Sequence, residues 1–307
     1  MTNFARKNAV KRFLGFFLKL GFSAVVLYLI FSSIDIRQLA AYLKNAGLKT
    51  FVLILVAGMV LWLTEYLRFS ISLKPVIDEP LKTPLRRIFF SGYALRFIIP
   101  GGHGEVGKMA FVSGPYSYRL IAYLMDKGSL AAVVLIGGLA GIWKLYPTTR
   151  VYYRLLVIII PLVCFGAGYI IRKSKKRFSG IGKYPFKNVL VANIPLSIAH
   201  VMIMAFQYWL VLKAYGVSFF STYTTVNIVL CAIMIPISFA GLGVREWTTL
   251  QLLKFYSLPK ESAILAPLLV FLCNVFIPAL IGAIVILVFK MKPKLFPKDS
   301  ATLHQQR

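Results

Sequence analysis

The sequence predicts an all-α polytopic membrane protein with about six full transmembrane helices and two broken or re-entrant segments. Three observations predict it. Of 307 residues, 59% are hydrophobic and only 15% are charged, whereas a soluble domain runs at roughly 45–50% and about 25%. Apolar runs of about 20 residues, the length that crosses a bilayer, recur from one end to the other. Two further apolar stretches are interrupted by proline and clustered glycine. The basic balance, 36 Lys and Arg against 9 Asp and Glu for a net +27, would suit nucleic acid in a soluble chain. In this one the apolar majority excludes both a soluble basic domain and a disordered basic tail.

The elements follow in order. Arg6, Lys7, Lys11 and Arg12 precede an apolar run at 13–33; with no small-residue cleavage site after it, the run reads as an uncleaved first span. Further spans are expected over 50–73, 118–142, 151–171, 189–213 and 262–289. The segment 88–112 carries the break Pro100-Gly101-Gly102-His103-Gly104-Glu105 and then Lys108; 222–257 carries Pro236 and the run Gly241-Leu242-Gly243-Val244-Arg245-Glu246. Such breaks free backbone groups that lipid cannot satisfy, so they are tolerated only inside protein or beside a wet cavity. Both segments therefore read as re-entrant hairpins or broken helices.

Charge sets an orientation. With the N-terminus inside, the tails and inner loops hold twenty Lys and Arg, seven of them over 172–187, against nine on the opposite side. The positive-inside rule then places both termini in the cytoplasm and the chain in the cell (inner, cytoplasmic) membrane. The run Arg172 to Arg177 is the strongest such signal, and it could also grip anionic headgroups. In this orientation the order span, span, broken segment, span occurs twice with its direction reversed, a layout known among transporters. Residues 1–295 thus form one integral membrane domain, with halves near 1–145 and 146–295 and a possible inverted repeat; 296–307 is a polar tail.

Four acids lie within or beside apolar segments: Glu65, Glu105, Asp126 and Glu246. An ionisable group at membrane depth is a functional candidate by default. Glu105 and Glu246 each follow a glycine-rich break beside a cation, Lys108 and Arg245. Helices starting at the breaks would turn free amides and a positive dipole end inward. Together with Arg96 and the glycines 101, 102, 104, 241 and 243, these groups form a candidate site for a phosphate or carboxylate. The alternative is that the glycines permit close packing and the glutamates neutralise buried cations or cap helices. Glu65 and Arg68, three apart on one helix, are expected to pair with each other. Asp126 and Lys127 are expected to snorkel to the cytoplasmic surface. Asn193, Ser197, His200 and Gln207 share one helical face and should point into the bundle. His103 and His200 are the titrating candidates, and Glu65, Arg68, Asp126 and His200 the candidate relay or interior polar groups. The three cysteines sit in apolar runs without metal-ligand spacing, so neither a metal nor a cofactor is expected. Nucleophile-elbow, zincin and Walker signatures are absent.

The two breaks carry a family resemblance. Pro100-Gly101-Gly102-His103-Gly104-Glu105-Val106-Gly107-Lys108 resembles the Pro-Gly-x-x-Gly-Glu-x-x-Arg motif of the flippase-like membrane family related to the transmembrane part of lysylphosphatidylglycerol synthase, with Lys108 at the usual arginine. Pro236 to Glu246 is similar to its second motif, Pro-x-x-x-x-Gly-x-Gly-x-Arg-Glu. Asp126-Lys127 is similar to the acidic-basic pair of the middle span, while Leu130 stands where that pattern has a further acid. The resemblance implies movement of an anionic or aminoacylated phospholipid, or a lipid-linked intermediate, between leaflets. It argues against synthase activity, because the cytoplasmic catalytic domain of the larger relatives has no counterpart here. Membrane lipids are the expected partners, with a separate lipid-modifying enzyme as a further candidate and self-association left open; no nucleic acid is expected. The rival readings are a non-transporting partner of a lipid- or glycan-modifying enzyme, and a secondary transporter of a small anion.

Overall fold

A computed structural model describes residues 28, 36–77, 81, 83–98, 104–112, 116–145, 184–235, 238 and 241–291. Apart from residue 28, the predicted span 13–33 lies outside them, as do the span 151–171, the basic run 172–177 and the tail 296–307. Every regular element among the described residues is helical: α1 (Ile36–Leu73), α2 (Leu85–Ile98), α3 (Tyr116–Leu145), α4 (Phe186–Leu212), α5 (Phe219–Met234), α6 (Val244–Leu253), α7 (Lys260–Phe271) and α8 (Ile277–Val288). Short 3-10 stretches extend several of them, and a further one, Gly104–Phe111, follows α2. A π-helical turn, Leu272–Phe276, joins α7 to α8. Four helical stretches are long and apolar enough to cross a membrane: Gly47–Val76, Ser117–Trp143, Phe186–Tyr215 and Lys260–Val288. They match four of the six expected spans.

The spans are apolar outside and polar within, the arrangement that lipid as solvent selects. On α1, Val52, Val56, Met59, Val60, Leu63 and Leu67 form an exposed stripe, while Ile54, Leu61, Arg68 and Ser72 are buried. The same division runs along α4. Leu190, Ile194, Ile198 and Met202 are exposed, whereas Asn193, Ser197, His200 and Gln207 are buried, as their shared helical face predicts.

Both broken segments turn back on themselves. α2 has 14 residues, so at 1.5 Å per residue it reaches about 21 Å, short of a hydrocarbon core of about 30 Å. The stretch Gly104–Phe111 returns along it, so close that a Cβ on Gly92 would lie 2.8 Å from Lys108 Cδ. α5, at 16 residues, is short as well. α6 folds back on it, bringing Leu252 against Ile228 and Val229 and Gly241 against Ile233. The segments are helical hairpins, not kinked full spans.

The packing has a half-for-half pattern. α1 lies along α4, the hairpin helix α2 along α8, and the hairpin helix α5 along α3. Each hairpin thus leans on the last span of the other half. Small residues allow these close approaches: Gly282 of α8 faces the Phe90 carbonyl of α2, and Gly137 and Gly138 of α3 face Asn227 and Cys231 of α5. Cys231 and Cys273 are free thiols.

Candidate functional site

A cavity of about 330 Å³ opens where the four spans and both hairpins converge. Its wall includes Leu61, Leu130, His200 and Asn274, each close to the middle of its span. It therefore lies near mid-depth. The first hairpin contributes Tyr93, Arg96 and Glu105, and the second contributes Ile233, Ser238, Gly241 and Arg245. The volume is that of a small-molecule or headgroup site.

On the first side an ionic network crosses three elements. Glu105 Oε1 accepts from Lys108 Nζ at 2.7 Å and stands 2.7 Å from Lys127 Nζ of α3. Asp126 accepts from Arg68 Nε of α1 at 2.7 Å, with Lys127 and Lys108 at 3.8 and 3.9 Å. Glu65 accepts from the Tyr93 hydroxyl and lies 3.6 Å from His200 Nδ1. Lys108 is 1% exposed, and its ammonium rests 4.1 Å from the Phe69 ring centroid, a cation–π contact in a desolvated place. Arg96 is half-buried on the cavity wall and makes no ion pair among the described residues.

On the second side the backbone geometry depends on two glycines. Gly241 and Gly243 have φ of 80° and 84°, a region costly for any residue with a Cβ. The turn they make starts α6, and Glu246 folds back so that its Oε2 accepts from the Gly243 amide at 2.7 Å. Its Oε1 accepts from Arg245 Nη2 at 2.6 Å and Nε at 3.0 Å. Arg245 in turn lies over the Phe271 ring at 4.5 Å. Glu246 thus caps a helix and aims an arginine that lines the cavity.

Several expected residues take other places. Glu65 and Arg68 do not pair with each other: Arg68 reaches across to Asp126, and Glu65 turns to Tyr93 and His200. Asp126 and Lys127 do not snorkel to a membrane surface; Asp126 is buried and Lys127 faces the cavity. The reason is the partner each gains, since a buried charge stays buried only when paired. Lys108 sits behind the wall against Glu105, and Glu246 is fully buried in its capping role. Glu105, Arg96, Arg245, Glu65, His200 and Gly241 line the cavity. Gly104 opens the returning 3-10 stretch, and Gly243 precedes α6 without lining the cavity. Gly101, Gly102 and His103 lie outside the described residues.

Tyr93, Tyr123, Ser238 and Asn274 are wall residues that sequence reasoning missed, and Lys127 is one it placed at the membrane surface instead. Their spacing carries no motif, although the acidic-basic pair of the middle span did point to Lys127. Asn274 exchanges hydrogen bonds of 2.6 and 2.9 Å with Gln207, which also donates to the Ile54 carbonyl. This clamps the π-turn to α4 and α1. No cluster of three or more metal-ligating side chains occurs among the described residues.

A family model described as the lysylphosphatidylglycerol synthase TM region matches residues 16–282. Among curated proteins, none matches the chain.

Proposed function

The chain belongs to the lysylphosphatidylglycerol synthase TM region family, and on that premise we propose that it moves a phosphate-bearing lipid between leaflets. The observation that carries the reading is the shared cavity. Both hairpins reach one mid-depth space, and cations from both halves, Arg96 and Lys127 on one side and Arg245 on the other, line it. A phosphate there would exchange water for guanidinium and ammonium donors, of which arginine offers a bidentate fork. Glu65 and Glu105 would contact amino or hydroxyl groups of the head. Met234 lines the same cavity and is 42% exposed, beside Ile235 at 56%. That edge is where acyl tails would stay in lipid.

The half-for-half packing supports an inverted pair of units rocking about the site, the arrangement that alternating access uses. Both termini in the cytoplasm and residence in the cytoplasmic membrane follow the charge count. Energy would come from the lipid gradient, the membrane potential or an ion gradient. In this reading the chain handles a lipid that a separate enzyme makes, and catalyses no bond change itself. The cavity volume would also hold a small soluble anion, so the test has two arms. Purified protein in liposomes with reporter lipids should exchange headgroup-bearing lipid faster than empty vesicles. Lipid exchange at the empty-vesicle rate for every anionic and aminoacyl lipid sinks the proposal, and saturable anion uptake in its place favours the small-anion reading.

A further inference from the structure

The two ends of the α1–α4 contact differ in how their polar atoms are satisfied. The helices run antiparallel in a fixed register: a Cβ on Gly58 would lie 3.4 Å from Gln207 Nε2, Glu65 Oε1 is 3.6 Å from His200 Nδ1, and Asn193 Nδ2 donates to Ser72 Oγ at 2.7 Å. Each step of seven residues along α1 is met by a step of seven back along α4, the spacing that keeps one helical face toward its partner. In this register Arg68 stands level with Ser197. At the Gln207 end, the side-chain amide atoms of Gln207 and Asn274 all have protein partners. At the Asn193 end, each level leaves polar atoms without one. His200 Nδ1, Arg68 Nη1 and Nη2, and Asn193 Oδ1 are buried and have no hydrogen-bond partner.

The 3.6 Å from His200 to Glu65 is too long for a hydrogen bond, and Arg68 uses only its Nε, on Asp126. Turning the Asn193 amide over changes nothing, since one end still meets Ser72 and the other meets no protein group. Ser197 and Ser129 add hydroxyls 3.4 Å apart at the level of Arg68. None of these residues is more than 4% exposed. A buried guanidinium with both terminal nitrogens bare is strongly disfavoured, and apolar neighbours supply no acceptor. Donors and an acceptor meet along one seam, which is what internal water requires, roughly two to four polar partners each. We infer that the α1–α4 seam between His200 and Asn193 is a binding site for a file of internal water. It forms a wet recess about 10 Å long that opens from the cavity at His200. Water there completes the hydrogen bonds of Arg68 and gives the cavity a polar arm that the Gln207 end lacks.

Thiol hydrogen exchange reads the recess directly. A cysteine S–H becomes S–D only where heavy water reaches it, and the two stretches are well separated in the infrared. Full-length protein in detergent would carry a single cysteine: Ser197→Cys, Ser129→Cys, or native Cys273, which is fully buried in the apolar core beside Asn274. On transfer to heavy water, the S–H bands of Ser197→Cys and Ser129→Cys should vanish at least about tenfold faster than that of Cys273, whose exchange waits for local opening. Two seam positions keep the test decisive where one variant misfolds. Adding Arg68→Met and Asp126→Leu together puts apolar groups in place of the guanidinium and its acid, and should slow exchange at Ser197→Cys several-fold. Equal rates at all three thiols, or a Ser197→Cys rate unmoved by the Arg68 and Asp126 replacements, overturn the inference. Fast seam exchange in a protein that moves no lipid in liposomes leaves it standing and counts against translocation instead.

Discussion

Lys127 Nζ of the third helix stands 2.7 Å from Glu105 Oε1 of the first hairpin, and that same oxygen accepts from Lys108 of the returning 3-10 stretch. One carboxylate thereby ties the hairpin to a span. Glu105→Gln removes the nearest carboxylate of buried Lys108 and partly exposed Lys127, leaving them Asp126 at 3.9 and 3.8 Å, and should lower stability by about 1–3 kcal/mol. Glu105→Gln with Lys127→Met should recover part of that loss. Thermal unfolding in detergent over the full double-mutant cycle measures the coupling; strict additivity would mean the contact carries no energy.

Arg68 and Asp126 form a second buried pair, 58 residues apart in sequence. Arg68→Met alone and Asp126→Leu alone should each cost about 3–5 kcal/mol, whereas the double variant should cost far less, since buried pairs often exchange for apolar residues nearly neutrally. Denaturation midpoints of the three variants decide this. A double variant as unstable as the worse single one would contradict it.

Close helix approach makes a sharper contrast. A methyl on Gly282 would run into the Phe90 backbone, whereas one on Gly128 meets nothing within 4 Å. Gly282→Ala should force α8 from α2 at a cost of roughly 1–3 kcal/mol. Gly128→Ala, exposed on its helix, should be neutral or stabilising by up to about 1 kcal/mol. Melting temperatures of the two variants should move in opposite directions or differ by several degrees.

Glu246 acts through Arg245 and the Gly243 amide. Glu246→Gln keeps a capping oxygen but removes the charge that holds the guanidinium. It should weaken binding of an anionic short-chain lipid several-fold and, because Arg245 is buried, cost about 3–5 kcal/mol in stability. Glu246→Ala should lose both. Binding measured well below each variant's melting temperature separates the effects, and unchanged affinity of the folded Gln variant would assign Glu246 to folding alone.

The cavity itself can be mapped. In a background lacking native cysteines, Ala131→Cys and Ser238→Cys, both on the wall, should react with a membrane-impermeant hydrophilic thiol reagent. Val56→Cys, on the exposed apolar stripe of α1, should not, because lipid excludes the thiolate-directed reagent there. Absence of labelling at both Ala131→Cys and Ser238→Cys would mean the cavity is not hydrated.

What could be read from the residues in order is what depends on neighbours in order. Twenty apolar residues make a span whatever lies elsewhere, so four of the expected crossings recur among the described helices. The two glycine-rich breaks were legible for the same reason: proline and glycine act on the backbone where they stand. Gly241 and Gly243 take the left-handed region that their type permits, and the interior face of α4 followed from a period of 3.6.

Tertiary structure alone decided the partners of the charges. Glu65 and Arg68 sit one helical turn apart, and proximity in sequence suggested a pair; instead each binds across the bundle, Arg68 to Asp126 and Glu65 to Tyr93 and His200. Asp126 and Lys127 looked close enough to the end of their span to reach water, yet they stay inside because Arg68, Glu105 and Lys108 meet them there. The physical reason is the solvent. A hydrocarbon phase rewards local hydrophobicity residue by residue, but it punishes an unpaired buried charge so heavily that Arg68, Lys108, Asp126 and Glu246 each take an opposite charge that the fold brings near. Which one that is depends on helix contacts between residues far apart in the chain, and only the assembled bundle determines them.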